Sequence, residues 1–211
     1  MDLSNPARAV MPSAHGVVLR ALAHTDRPMS GRALAELVGD QAGYRRVAQV
    51  LGQLVDAGVV LRESQPPAYL YRLNREHVAA EAIAMLADLR ARLMQRISQT
   101  VSTWKVQPVA VWLFGSGARG DGNTDSDLDM LVVRPDTVSD GDPRWRHQLE
   151  ELAASVTAWS GNDCQLVEYS QRELASLVTA GERLVTDLRA EAIVLAGKSP
   201  QEVLRSKKHR R

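Results

Sequence analysis

The sequence predicts an α+β chain of two globular domains joined by a long helix, and three observations carry that expectation. Residues 1–75 hold three helical apolar stripes followed by two short β-type runs. Residues 76–104 keep a near-heptad apolar stripe with no Gly or Pro to interrupt it. Residues 105–198 alternate β-type and helical runs, and a basic tail over 199–211 is expected to be disordered.

In the first half, SAHGVVLRALAHTD has helical spacing and stops near Asp26-Arg27-Pro28. SGRALAELVG gives a second helix, with Ser30 as N-cap and Gly39 as its terminal glycine. A third helix over Gln41–Ala57 buries Val47, Val50, Leu51, Leu54 and Val55 and shows Tyr44, Arg45, Arg46, Gln49 and Gln53 to solvent. Gly58 ends it, and VVLRES, a QPP turn and AYLYRLN form a hairpin. The phrase VAQVLGQLVDAGVVLRE…YLYRLN resembles the recognition helix and wing of bacterial winged helix-turn-helix regulators, over roughly residues 10–75. That resemblance implies duplex DNA as partner, with Tyr44, Arg45, Arg46 and Gln49 towards the major groove and Arg62 or Arg72 near phosphates. Such folds also serve as protein or RNA modules.

The segment from Arg75 to Trp104 reads as one helix, its stripe made of Val78, Ala82, Leu86, Leu89, Leu93 and Ile97. It could cover the next domain or pair with a second copy, and a homodimer through this helix is expected.

The stretch FGSGARGDGNTDSDLD contains a G-x-G-x-x-G at Gly115, Gly117 and Gly120, directly after the strand-like VAVWLF. A dinucleotide fold needs the last glycines to open a helix, yet Asp121 to Ser126 are turn formers without an apolar stripe. A phosphate loop of the Walker type needs a lysine that is missing here. A calcium loop starting at Asp121 puts Ser126 where glycine is required and Val132 where the bidentate Glu belongs. What remains is a strand, a Gly-Ser turn, a polar connection and a strand opening on Asp127-Leu128-Asp129. Alternation puts Asp127 and Asp129 on one face, where their mutual repulsion asks for a divalent cation, Mg²⁺ or Mn²⁺. The loop's backbone N–H groups and the Ser116 hydroxyl can then hold a nucleotide's phosphates.

The phrases LFGSGARG and DSDLDMLVV look like the signature of the DNA polymerase β-type nucleotidyltransferase superfamily, particularly its minimal branch. The resemblance spans roughly residues 105–197 and implies a mixed sheet with flanking helices. It assigns phosphate binding to Gly115 and Ser116 and the metals to Asp127 and Asp129. Arg119 either neutralises phosphate charge or braces the loop. The family's third carboxylate falls at Gln165 in CQLVEYS, and a glutamine cannot act as a base. Asp163 shares Gln165's face and is the better substitute, whereas Glu168 points to the other side. Ser170 and Glu173 read as a capping box, ERLVTDLRAEA and IVLAG as a last helix and strand. Trp145 and Trp159 are expected in a core or interface, and His147 on an exposed helix face.

Charge and composition agree with this division. Residues 1–107 carry 13 Lys/Arg against 9 Asp/Glu, residues 108–204 carry 8 against 16, and Arg205–Arg211 add five positive charges. A basic first half suits a polyanion and an acidic second half a cation. The lone Cys164 excludes a disulfide framework, and no secretory or membrane-spanning apolar run is present, so a cytoplasmic protein is expected. The expected activity is transfer of a nucleoside monophosphate from an NTP, such as ATP, to a protein, RNA or small-molecule acceptor, with Asp127, Asp129 and Gln165 at the catalytic centre. The alternative is a nucleotide-sensing DNA-binding regulator, or a toxin–antitoxin component, without turnover.

Overall fold

The structure is a computed structural model, and it describes residues 1–3, 5–123 and 126–205. The chain divides into two compact units, one holding Asp2 and the residues up to Arg90, the other Met1, Leu3 and the residues from Ala91 onward.

The first unit runs α1 (Ala14–Ala23), β1 (Met29–Ser30), α2 (Gly31–Val38), α3 (Tyr44–Asp56), β2 (Val60–Gln65), β3 (Ala68–Leu73) and α4 (Ala80–Ala87). α2 begins where the Ser30 side chain accepts from the Ala33 amide at 3.1 Å, and it ends at Gly39. Val47, Val50, Leu51 and Leu54 line the buried stripe of α3 and meet Val18, Leu22 and Leu34 in one core. The strands form an antiparallel sheet in the order β1-β3-β2, with Val60 opposite Leu73 and Met29 opposite Tyr71.

Three details differ from the sequence expectation. The two-residue β1 is added to the hairpin. α3 starts at Tyr44 rather than Gln41, because Gly39–Gln41 form a separate 3-10 turn. The single helix expected between Arg75 and Trp104 is two, α4 and α5 (Leu89–Ser102), interrupted at Asp88. Val78 lies outside α4 and is 93% exposed, and Ala82 is exposed as well. Ile83 enters the first unit's core, while Leu93 and Ile97 enter the second's, so no common stripe spans the segment.

The second unit continues with β4 (Ala110–Phe114), α6 (Gly115–Arg119), β5 (Leu128–Arg134), α7 (Pro143–Ser160), β6 (Cys164–Ser170), α8 (Gln171–Ala180), α9 (Arg183–Glu191), β7 (Ile193–Gly197) and α10 (Pro200–Val203). Its sheet has the order β6-β5-β4-β7 and is mixed: β5 and β6 are parallel, while β4 is antiparallel to β5 and to β7. Alternation splits the strand side chains between two cores. Val111, Leu113, Leu128, Met130 and Val132 pack with Leu93, Ile97, Trp145, Leu152 and Val156 from α5 and α7. Ala110, Trp112, Leu131 and Val133 pack with Leu174, Val185 and Leu188 from α8 and α9. The expected capping box forms at Ser170 and Glu173. Residues 200–203, expected to be disordered, form α10, and Leu204 behind them is fully buried in the second of these cores. The rest of that tail, 206–211, lies outside the described residues. Among the described residues no helix is long and apolar enough to cross a membrane.

The buried Trp145 stacks edge-on against Trp104 at 5.8 Å and donates its indole N–H to Glu168 at 3.0 Å. Glu168 also accepts from Arg134, and both side chains are under 15% exposed. Removing one member of a largely buried pair leaves the other charge uncompensated. Glu168→Ala is therefore expected to lower stability by about 3 kcal/mol in urea unfolding, and Glu168→Gln by less. An unchanged urea midpoint for Glu168→Ala would show that this cluster contributes nothing.

Candidate active site

Strand β4 leads into the glycine segment, and the three glycines answer to three different constraints. Gly115 adopts φ +66°, and a Cβ built there would lie 2.7 Å from the Asp129 Oδ2. A side chain at this position would meet both backbone strain and the carboxylate. Gly117 is small for packing: a Cβ would stand 3.2–3.4 Å from Leu128, Leu113 and Leu3. Gly120, left-handed at φ +78°, caps the helical turn by donating to the Ser116 carbonyl at 2.9 Å. The Gly-Ser turn expected from sequence is thus one turn of helix, α6, and among the described residues between Gly120 and β5 none is helical.

Asp129 is half-buried and opposite Phe114, and Asp127 is exposed just before β5. Burial and then the neighbouring Asp127 charge push the Asp129 carboxyl above the usual carboxylate range, with Arg119 opposing them. Arg119 is already engaged: it bonds Asp121 at 3.1 Å and holds both carboxylate oxygens of Glu191 on α9, at 3.1 and 2.9 Å. Glu191 carried no motif that could have marked it, because it lies 72 residues away. The Ser116 side chain is half-buried, its Oγ 3.3 Å from where a Cβ on Gly122 would sit.

Gln165 is the direct register partner of Asp129 across the parallel β5–β6 ladder, so both side chains leave the same face. Glu168 leaves the opposite face, towards Trp145. Asp163 is exposed and precedes β6, where its carbonyl accepts from the Leu128 amide at 2.8 Å. Among the described residues no three His, Cys, Asp or Glu side chains gather to hold a metal. The candidate donors are the carboxylates of Asp127 and Asp129, with the neutral Gln165 at the register position beside Asp129. Such a set suits Mg²⁺, which is commonly bound by one or two carboxylates and takes other ligands from phosphates and water.

Behind the loop, Asn162 is 3% exposed and donates its side-chain amide to the carbonyls of Asn123 at 3.2 Å and Ser126 at 2.8 Å. Sequence reading passed over it. Leu3, 2% exposed, donates its amide to the Gly122 carbonyl at 3.0 Å. Cys164 is pushed up to about 11 by burial and by the Asp129 charge, which makes it a poor nucleophile. Trp145 is buried, Trp159 carries Arg96 over its ring at 4.2 Å, and His147 sits exposed beside Glu151 at 3.3 Å.

The residues expected to read DNA belong to the first unit, on the opening turns of α3. Tyr44, Arg45, Arg46 and Gln49 are all exposed, and Arg46 is tied to Gln49 at 2.9 Å. On the hairpin, Arg62 stacks over Tyr69 at 4.8 Å and Arg72 pairs with Glu63 at 2.9 Å.

Residues 94–183, within the second unit, match the family model of the nucleotidyltransferase domain. Two solved structures are similar to part of the chain. One is a toxin–antitoxin complex with AMP-PNP, 20% identical over 53% of this chain and 80% of that one, at TM-score 0.36. The other is a mutant toxin–antitoxin MntA-HpeT complex, 18% identical over 53% and 79%, at TM-score 0.37. Those likenesses are too distant to assign a role. No curated protein matches the chain.

Proposed function

We propose that the chain is a Mg²⁺- or Mn²⁺-dependent nucleotidyltransferase that moves a nucleoside monophosphate from an NTP to an acceptor, and that its first unit is a winged helix reading duplex DNA. The observation that carries the transferase reading is the contact geometry at Gly115, whose missing side chain leaves room for the Asp129 carboxylate. A glycine loop against a carboxylate pair is a place where triphosphate oxygens and acidic ligands converge on one cation. Asp127 and Asp129 would hold that cation, which supplies neutralisation of the phosphate charge. Gly115 and Ser116 would hold the terminal phosphates, and Arg119, fixed by Asp121 and Glu191, braces the loop and tempers the charge of Asp129. The acceptor oxygen attacks the α-phosphorus, the bond to the bridging oxygen breaks, and pyrophosphate leaves. With the neutral Gln165 at the register position beside Asp129, that position supplies no base for the acceptor's proton. A phosphate acceptor, already ionised at neutral pH, needs none. Incubation with α-labelled ATP, GTP, CTP and UTP plus Mg²⁺ tests this; label on an acceptor, with pyrophosphate released, is the expected result.

One observation favours a second reading, a nucleotide-sensing DNA regulator without turnover: the position beside Asp129 is the neutral Gln165. Mg²⁺-dependent nucleotide binding with no label transferred to any acceptor would select it.

The DNA reading is supported by the order α1-β1-α2-α3-β2-β3 and by the exposed Tyr44, Arg45 and Arg46 at the start of α3. The full chain is expected to retain duplex DNA at low salt, with affinity falling by roughly 0.9 in the log–log slope for each phosphate contact. Replacing Arg45 and Arg46 by Ala should weaken retention and flatten that slope. A chain that shifts no duplex at low salt overturns the DNA reading.

A further inference from the structure

We infer that Asn162 is a positioning residue for Asp127, a role that rests on reading Asp127 as a cation ligand. Asp127 stands outside the strand ladder, yet the backbone on both sides of it is fixed. On one side the Asn162 amide nitrogen donates to the carbonyls of Ser126, at 2.8 Å, and Asn123, at 3.2 Å. On the other, the Leu128 amide donates to the carbonyl of Asp163, the residue after Asn162. Two consecutive residues at the mouth of β6 therefore set where Asp127 emerges.

The local structure explains how Asn162 comes to be there. Gly161 ends α7 in the left-handed conformation, which turns the chain back under the loop. Asn162 is then buried, with its backbone N–H on the Ser160 hydroxyl at 3.1 Å and its Oδ1 accepting from the Met1 amino group. An apolar side chain could fill such a space, whereas a buried amide is costly unless its hydrogen bonds are met. The amide's bonds to the Asn123 and Ser126 carbonyls go to the segment that delivers Asp127.

Titration with Mn²⁺, read from the EPR signal of the free ion, tests the inference on the metal-binding step alone. Loss of a residue that orients a metal ligand typically weakens metal affinity by about 10–100-fold, and that loss is expected for Asn162→Ala. Asn162→Asp keeps the volume, removes the donors and adds a negative charge near the site. It is also expected to bind Mn²⁺ more weakly, although charge alone would tighten binding, and it carries the test if Asn162→Ala does not fold. Wild-type or tighter affinity for folded Asn162→Asp overturns the positioning role. Asp127→Asn serves as the control: if it binds Mn²⁺ like the wild type, Asp127 is not a ligand, and the reading of the site fails before Asn162 is in question.

Discussion

Asp129→Asn is expected to abolish cation-dependent nucleotide binding and to leave the cation-free protein at least as stable as the wild type. The two effects have one origin. Asp129 is half-buried beside Asp127, and both burial and that neighbouring charge raise its pKa. A carboxyl whose folded pKa is raised binds its proton more tightly in the native state than in the unfolded chain. Stability then falls as pH rises from the ordinary carboxylate value, about 3.9, through the folded one, and the cost is complete above it. A neutral amide of the same shape removes that cost at neutral pH. It also removes a ligand, so affinity for Mg·ATP should fall by more than the roughly 100-fold that loss of an orienting neighbour can cause. Thermal unfolding with and without Mg·ATP checks both at once. The wild type gains stability from the ligand and the variant gains none, while the unliganded variant unfolds no earlier. A variant that unfolds early would mean that Asp129 supports the fold rather than the site.

Gln165→Asp carries the second large effect. The β5–β6 register puts the new carboxylate directly beside Asp129 on the shared face. If transfer is limited by the missing proton acceptor, general-base assistance is worth about 10²–10⁴-fold, so even partial restoration is visible with labelled NTP and a hydroxyl acceptor. Mg²⁺ affinity should rise together with transfer, because a third carboxylate adds charge to the site. An acceptor that is already ionised gains little, which separates proton removal from better metal binding. Tighter Mg²⁺ with no transfer to any acceptor favours the regulator reading, and no change in either property removes Gln165 from the site.

Much of this was legible in the chain because the signals are local. Ser30 and Gly39 bound α2, Val47 to Leu54 mark the buried side of α3, and Ser170 with Glu173 open α8, all within a few residues of each other. The alternation of Gln165 against Glu168 needs only the strand period. What escaped depends on distant partners. β1 exists because Met29 and Ser30 find β3, forty residues on. The break at Asp88 falls between Ile83 in one core and Leu93 in another, which an uninterrupted apolar period cannot reveal. Glu191 and Asn162 reach the loop only through the folded topology.

Leu3 makes the boundary between the units a poor place to cut. Its side chain belongs to a core whose next buried member is Leu93, and it closes the space beside Gly117. The first unit is thus spliced into the second, with chain leaving and returning on either side of it. A fragment starting at Ala91 would lack a plug beneath its own glycine turn, and a fragment ending at Arg90 would carry a stranded leucine. Separately expressed halves are therefore a harsher experiment than they look, and a mutation in the intact chain is the cleaner way to ask what either half does.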